Sequence, residues 1–167
     1  MITRILHESD VQQYQDLRLS ALLTNPEAFG STYERESRFR LDLVIDRIRP
    51  SKDKFVLGAL DEHGSLGGIV AFVRESGMKT THKANVFGMY VSKEKRGQGI
   101  GKLLLLELIK MARDIDGLEQ INLSVVSNNE SAKKLYQAVG FETYGLERNA
   151  LKFNGQYYDE NLMVLRL

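Results

Sequence analysis

The sequence predicts an α/β (α+β) fold: one mixed, mostly antiparallel central sheet flanked by helices, in the order β α α β β β α β α β β. Two apolar runs of strand length, KFVLGAL at 54–60 and LGGIVAFV at 66–73, are separated only by the turn Asp61-Glu62-His63-Gly64. A third run, ANVFGMYV at 84–91, leads through a charged turn and a glycine-rich stretch into the leucine-rich residues 103–115, and an alternating strand, QINLSVV at 120–126, follows. Near the end, Asn154-Gly155 is the strongest hairpin signal in the chain. Two hairpins around a strand–helix–strand crossover make a mixed sheet, and that crossover is expected to be right-handed.

The elements follow in order. Residues 2–6, ITRIL, read as a short strand. Ser9 or Asp10 can cap a helix running to about Leu23, with Val11, Tyr14, Leu17, Leu19 and Leu22 in a helical apolar pattern. Asn25-Pro26 breaks it, and a mixed aromatic segment, residues 27–34, precedes a second helix over 35–48 closed by Pro50-Ser51. Residues 74–83 are polar and loop-like. Asp116-Gly117 stops the leucine-rich helix. Ser127 to Glu130 reads as a Ser-x-x-Glu capping box for a helix with Ala132, Leu135, Tyr136 and Val139 on one face, ended by Gly140. Residues 141–151 and 156–167 are the strands of the last hairpin.

Composition bounds the function. A length of 167 residues fits one domain over 1–167, and a hydrophobic share of 43% is enough for a sizeable core. A formal net charge of +1 gives no global field toward nucleic acid or an anionic membrane, so neither is expected as a partner. No apolar run approaches a membrane span, and the N-terminus lacks the apolar core of a signal peptide. With no cysteine there is no disulfide, thiolate metal site or thiol nucleophile, which suits a reducing cytoplasm; no metal is expected.

The glycine-rich stretch carries the chemistry. It reads Arg96-Gly97-Gln98-Gly99-Ile100-Gly101-Lys102. The first turn of a helix offers N–H groups without intrahelical partners, and glycines let a ligand approach them. Such a place suits an anion, most naturally a phosphate. The stretch is not a dinucleotide fingerprint, because position 102 is lysine, and not a P-loop, because position 96 is arginine and position 103 leucine. What remains, R-x-x-G-x-G after an apolar strand, resembles the pyrophosphate loop of the GNAT superfamily of N-acetyltransferases. About thirty residues downstream, Asn129 to Phe141 reads N-x-x-A-x-x-L-Y-x-x-x-G-F, which is similar to the second signature of that family. The element order matches as well, so the resemblance covers essentially the whole chain, by pattern more than by motif in the first half.

The resemblance implies acetyl-CoA as cosubstrate and direct transfer of its acetyl group to an amine. It places Met89, Tyr90 and Val91 along the pantetheine arm and the thioester. It puts Arg96, Gly97, Gln98, Gly99, Ile100, Gly101 and Lys102 on the pyrophosphate, Asn129 on the coenzyme arm, and Tyr136 as general acid. A phenol with pKa about 10 donates to a thiolate of about 8.5 at a cost of roughly 2 kcal/mol. Freeing a lysine-like amine near neutrality costs roughly 4 kcal/mol, so a general base would help. The strand before the loop holds no Glu or Asp where many relatives place that base. Glu34 is the leading candidate, with Glu27, Glu75 and His82 as others, and a water relay is an alternative.

The resemblance also implies that acceptor contacts come from residues 26–36, 74–83 and 148–158, and there Phe29, Tyr33, Glu34, Tyr157 and Tyr158 mix aromatic and acidic character. That suits an amine of a small molecule, a peptide or a protein. The apolar C-terminal strand offers an edge for a homodimer. An alternative of another class is a non-catalytic module that senses acyl-CoA without turnover.

Overall fold

The computed structural model describes residues 1–167. Seven strands form one sheet: β1 (Ile2–Ile5), β2 (Lys54–Leu60), β3 (Leu66–Arg74), β4 (Lys83–Val91), β5 (Gln120–Val126), β6 (Glu142–Phe153) and β7 (Gln156–Arg166). Their spatial order is β1-β2-β3-β4-β5-β7-β6, and every pairing is antiparallel except β4 with β5. The helices are α1 (Val11–Thr24), α2 (Tyr33–Glu36), α3 (Leu41–Ile48), α4 (Ile100–Arg113) and α5 (Glu130–Ala138). None is long and apolar enough to cross a membrane.

Alternation along the strands divides two cores. On one face Leu104, Leu105, Leu108 and Ile109 of α4 and Tyr136 of α5 pack with Phe72, Val86, Ile121, Leu123, Met163 and neighbours. On the other, Tyr14, Leu17 and Ala21 of α1 and Val44 and Ile48 of α3 pack with Val56, Ile69 and Tyr90. Neighbouring residues of β4 therefore look opposite ways: Met89 and Val91 border the α4 side, Tyr90 the α1 side.

Two features of β4 open the sheet. Its pairing with β5 stops at Asn85↔Asn122, so from Val86 onward the edge that β5 would have covered lies free. Its pairing with β3 skips from Ile69↔Tyr90 to Ala71↔Phe87, a bulge that contains Gly88 at φ 59°. That left-handed backbone favours glycine at this position.

Three sequence readings are corrected here. The helix expected over 35–48 is two helices, because Arg40 is extended (φ −68°, ψ 148°) and the chain turns after α2. The turn buries the Glu36 carboxylate against Arg18 and Arg47, and that ionic contact outweighs continuous helix. The leucine-rich helix begins at Ile100 rather than at 103, with Gly99 as its N-cap. The capping box at Ser127 does not form: Ser127 Oγ donates to Asn161 Oδ1, and Asn129 Oδ1 caps α5 by accepting from the Ala132 N–H at 3.2 Å. The final hairpin turns at Asn154 (φ 50°) and Gly155 (φ 76°), as an Asn-Gly turn requires.

Candidate active site

A cavity of about 640 Å³ runs through the gap between β4 and β5. That volume lies within the range of small-molecule sites. Its wall gathers residues that are far apart in the chain: Arg18 of α1, Phe29 and Ser31 beyond it, β4 from Val86 to Val91, the glycine loop, the end of β5, and one face of α5.

At its α4 end the wall is a cradle of backbone. Gly97 and Gly99 sit at φ 76° and 77°, and a Cβ at either would meet open space. Both are thus glycine for backbone conformation, and the space before them is free for a ligand. Gly101 differs, since a Cβ there would come within 2.9 Å of Leu135 Cδ2 and 3.0 Å of Met89 Cε. It serves the packing of α4 on α5 and β4. The first α4 residue whose N–H finds a backbone acceptor is Leu103, to Gly99 at 3.0 Å; those of Ile100, Gly101 and Lys102 find none. Lys102 is exposed and free of ion pairs. This donor set, one helix N-terminus with a cation beside it, fits a diphosphate. Arg96 is already engaged: Nε donates to Val91 O at 3.1 Å, Nη2 to Asn25 Oδ1 at 2.8 Å, and its guanidinium lies 5.4 Å from the Tyr90 ring centre. It ties the loop to the end of α1 while keeping its charge at the cavity.

Midway, Tyr136 is 7% exposed, its ring set edge-on to Phe141 at 5.9 Å. Burial pushes its phenol up to about 12, so it is protonated at any pH the protein meets. Asn129 reaches the same wall; its oxygen caps α5, which leaves the amide nitrogen as the group to donate inward.

On the α1 side the wall becomes ionic. Arg18 donates from Nε and Nη2 to the two Glu36 oxygens at 3.1 and 3.0 Å, and Arg47 Nη1 adds a third bond at 3.0 Å. Burial alone would raise the Glu36 carboxyl, but the hydrogen bonds from Arg18 and the charges of Arg18 and Arg47 outweigh it and hold it below its ordinary value. The Arg18 guanidinium lies over Phe29 at 4.9 Å from the ring centre, and Phe29 meets Tyr90 edge-on at 6.3 Å.

The structure brings Met89, Tyr90, Val91, Arg96, Gly97, Gly99, Ile100, Gly101, Lys102, Asn129, Tyr136 and Phe29 to one cavity. It does not bring Gln98, Tyr33, Glu34 or Tyr157 there. Glu34 stands exposed on α2, where the same turn that buries Glu36 aims it outward. Glu27 and Tyr158 line a smaller hollow that adjoins the cavity and shares Asn25, Ala28, Val126 and Asn129 with its wall. Glu75 accepts from Asn85 Nδ2 at 2.7 Å near the start of β4, and His82 lies just before that strand, so both are at the wrong end of it. Sequence reasoning missed Glu160, the one acid in the cavity wall. It sits opposite Val126 on β7, while Met163 and Leu165, of opposite parity, face the α4 core. The only signal in the sequence was that alternation.

Residues 3–162 match the family model described as "Acetyltransferase (GNAT) domain", and the chain belongs to that family. The L-amino acid N-acetyltransferase AaaT of Escherichia coli is 31% identical over 86 residues, 52% of either chain. The spermine/spermidine N(1)-acetyltransferase of Bacillus subtilis is 35% identical over 78 residues, 47% of this chain and 46% of that one. The chain spans about half the length of these curated relatives. Among solved structures, a GNAT superfamily phosphinothricin acetyltransferase from Sinorhizobium meliloti in complex with AcCoA is similar with TM-score 0.83 and 24% identity, over 99% of this chain and 88% of that one. An acetyltransferase of the GNAT family from Streptococcus pneumoniae gives TM-score 0.85 and 22% identity over 99% of both chains. At these identities the two structures speak to the fold.

Proposed function

We propose that the protein is an N-acetyltransferase that moves an acetyl group from acetyl-CoA to a primary amine by direct transfer. The observation that carries this is the single cavity joining the backbone cradle of α4 to Tyr136 and the free edge of β4. The complex of the S. meliloti relative with AcCoA and the amine substrates in the names of the curated relatives support the same class.

Acetyl-CoA, when bound, supplies an activated acyl group on a thiol that leaves readily. The N–H groups of Ile100, Gly101 and Lys102, with the Lys102 ammonium, hold the diphosphate. Asn129 donates from its amide nitrogen to the coenzyme arm. An N–H on the free edge of β4 donates to the oxyanion that develops on the acyl carbonyl. Tyr136 donates a hydrogen bond from its hydroxyl to the departing sulfur. With the phenol at about 12 and a thiol near 8.5, complete proton transfer costs about 5 kcal/mol. Tyr136 therefore acts mostly as a hydrogen-bond donor, with solvent completing the protonation. Glu160, rather than Glu34, takes the proton of the attacking amine, directly or through water. An acid missing from β4 would favour the sensor alternative, but Glu160 supplies one from β7. With no cysteine, no thiol holds the acyl group in transit, and positioning supplies much of the rate.

The test is release of CoA thiol from acetyl-CoA with a panel of amino acids, polyamines, aminoglycosides and short peptides. Amine-dependent release is expected. Binding of acetyl-CoA without release for any amine would return the protein to the sensor reading.

A further inference from the structure

The α1 side of the cavity holds buried polar atoms without partners. Tyr90 is 5% exposed, lines the cavity, and its hydroxyl makes no hydrogen bond. Arg18, with its side chain 11% exposed, spends Nε and Nη2 on Glu36 and leaves Nη1 unpaired. That nitrogen lies 3.8 Å from where a Cβ on Gly88 would stand, against the bulge of β4. Ser31 Oγ also makes no hydrogen bond of ordinary geometry, although it lies close enough to help keep Glu36 ionised, so Arg18 and Tyr90 carry the weight. A folded protein rarely leaves such donors unpaired, because burial without a partner costs stability.

The charges point to the occupant. Glu36 is one carboxylate between two guanidiniums, Arg18 and Arg47, so the cluster keeps one positive charge in excess. The Arg96 guanidinium also lies against the Tyr90 ring, 5.4 Å from its centre. Against these, Glu160 is the only acid on the wall. Val126 and its cross-strand neighbour Glu160 share a face of the sheet, opposite to Val125, Met163 and Leu165, which belong to the α4 core. Glu160 thus opens toward the same side as Arg18 and Tyr90.

We infer that the acceptor carries a carboxylate close to its amine, as an α-amino acid does. Arg18 Nη1 and the Tyr90 hydroxyl receive the carboxylate by charge-assisted hydrogen bonds, and Glu160 faces the ammonium. A polyamine would set a second cation against Arg18 and is disfavoured. This inference rests on the acetyl-transfer reading for the amine, but the carboxylate subsite can be measured by binding alone.

The experiment uses the full chain saturated with CoA. Titration calorimetry compares leucine, methionine and glutamate, each with its amide and its decarboxylated amine, and spermidine. At least one acid is expected to bind 10- to 100-fold more tightly than its own amide. Tyr90→Phe is expected to close most of that gap while melting no lower than the parent, because the hydroxyl it removes has no partner. Equal binding of acid and amide, tighter binding of spermidine, absence of acid binding, or an unchanged gap in Tyr90→Phe would each overturn the subsite. Thiol release measured on the same samples scores acetyl transfer separately.

Discussion

Glu36→Gln is the most demanding test of the site's scaffold. The Glu36 side chain is 2% exposed and receives three charge-assisted bonds, at 3.1, 3.0 and 3.0 Å, from Arg18 and Arg47. Glutamine keeps the shape but removes the charge and turns an NH₂ toward a guanidinium. Breaking one member of a buried ionic cluster costs about 3–5 kcal/mol, and the retained oxygen places this case near the lower end. At about 2–4 °C per kcal/mol for a chain of this size, the melting temperature should fall by about 6–12 °C at pH 7. The pH dependence has a definite sign. The folded carboxyl is held below its unfolded value, so its stabilisation is fully present above about pH 4.3 and is lost as pH falls through the folded value. The gap between parent and variant should therefore narrow in acid. Freed from Glu36, Arg18 also loses its fixed position, so KM for the acceptor should rise while KM for acetyl-CoA stays near the parent value. Thermal unfolding from pH 3 to 8, with steady-state kinetics at neutrality, reads all of this. A melting shift below about 2 °C, or a gap that widens in acid, would refute the reasoning.

Other substitutions separate the roles along the cavity. Tyr136→Phe keeps the edge-on contact with Phe141 and should lose about 10²-fold in kcat with acetyl-CoA affinity unchanged, as single-turnover and equilibrium titration can show. In the parent, burial of that phenol contributes stability that is complete below about pH 10 and is lost as pH rises through about 12, a loss the Phe variant should not share in alkaline melts. Glu160→Gln should depress kcat in steady-state assays at neutral pH with acetyl-CoA affinity unchanged, whereas Glu34→Gln should leave kcat near the parent value. Gly99→Ala should cost about 1–2 kcal/mol from its left-handed φ of 77°, without steric clash, and weaken acetyl-CoA binding measured by calorimetry.

Where the sequence carried a short-range signal, it was readable. Residues 120–125 alternate and lie in β5, and Asn154-Gly155 turns where its backbone preference demands. The cradle was legible because the glycines and the following leucine periodicity lie within one stretch. The other half of the site depends on long-range contacts. Glu36 looks like any charge on a helix until α1 brings Arg18 to it, and that contact breaks the helix expected over 35–48. Ser127 and Asn129 both resemble caps, and only the partner Asn161 on β7 decides between them. Glu160 faces the cavity because β7 pairs with β5 in one register; a shift by one residue would turn it away.

The measurement closest to the centre is a mass-spectrometric assay of amine product against CoA formed, with acetyl-CoA and the amino acid that binds best. One acetylated amine for each CoA released, with no acetylated protein accumulating, is expected for direct transfer. CoA release without acetylated amine, or an acetyl group retained on the chain during turnover, would contradict it.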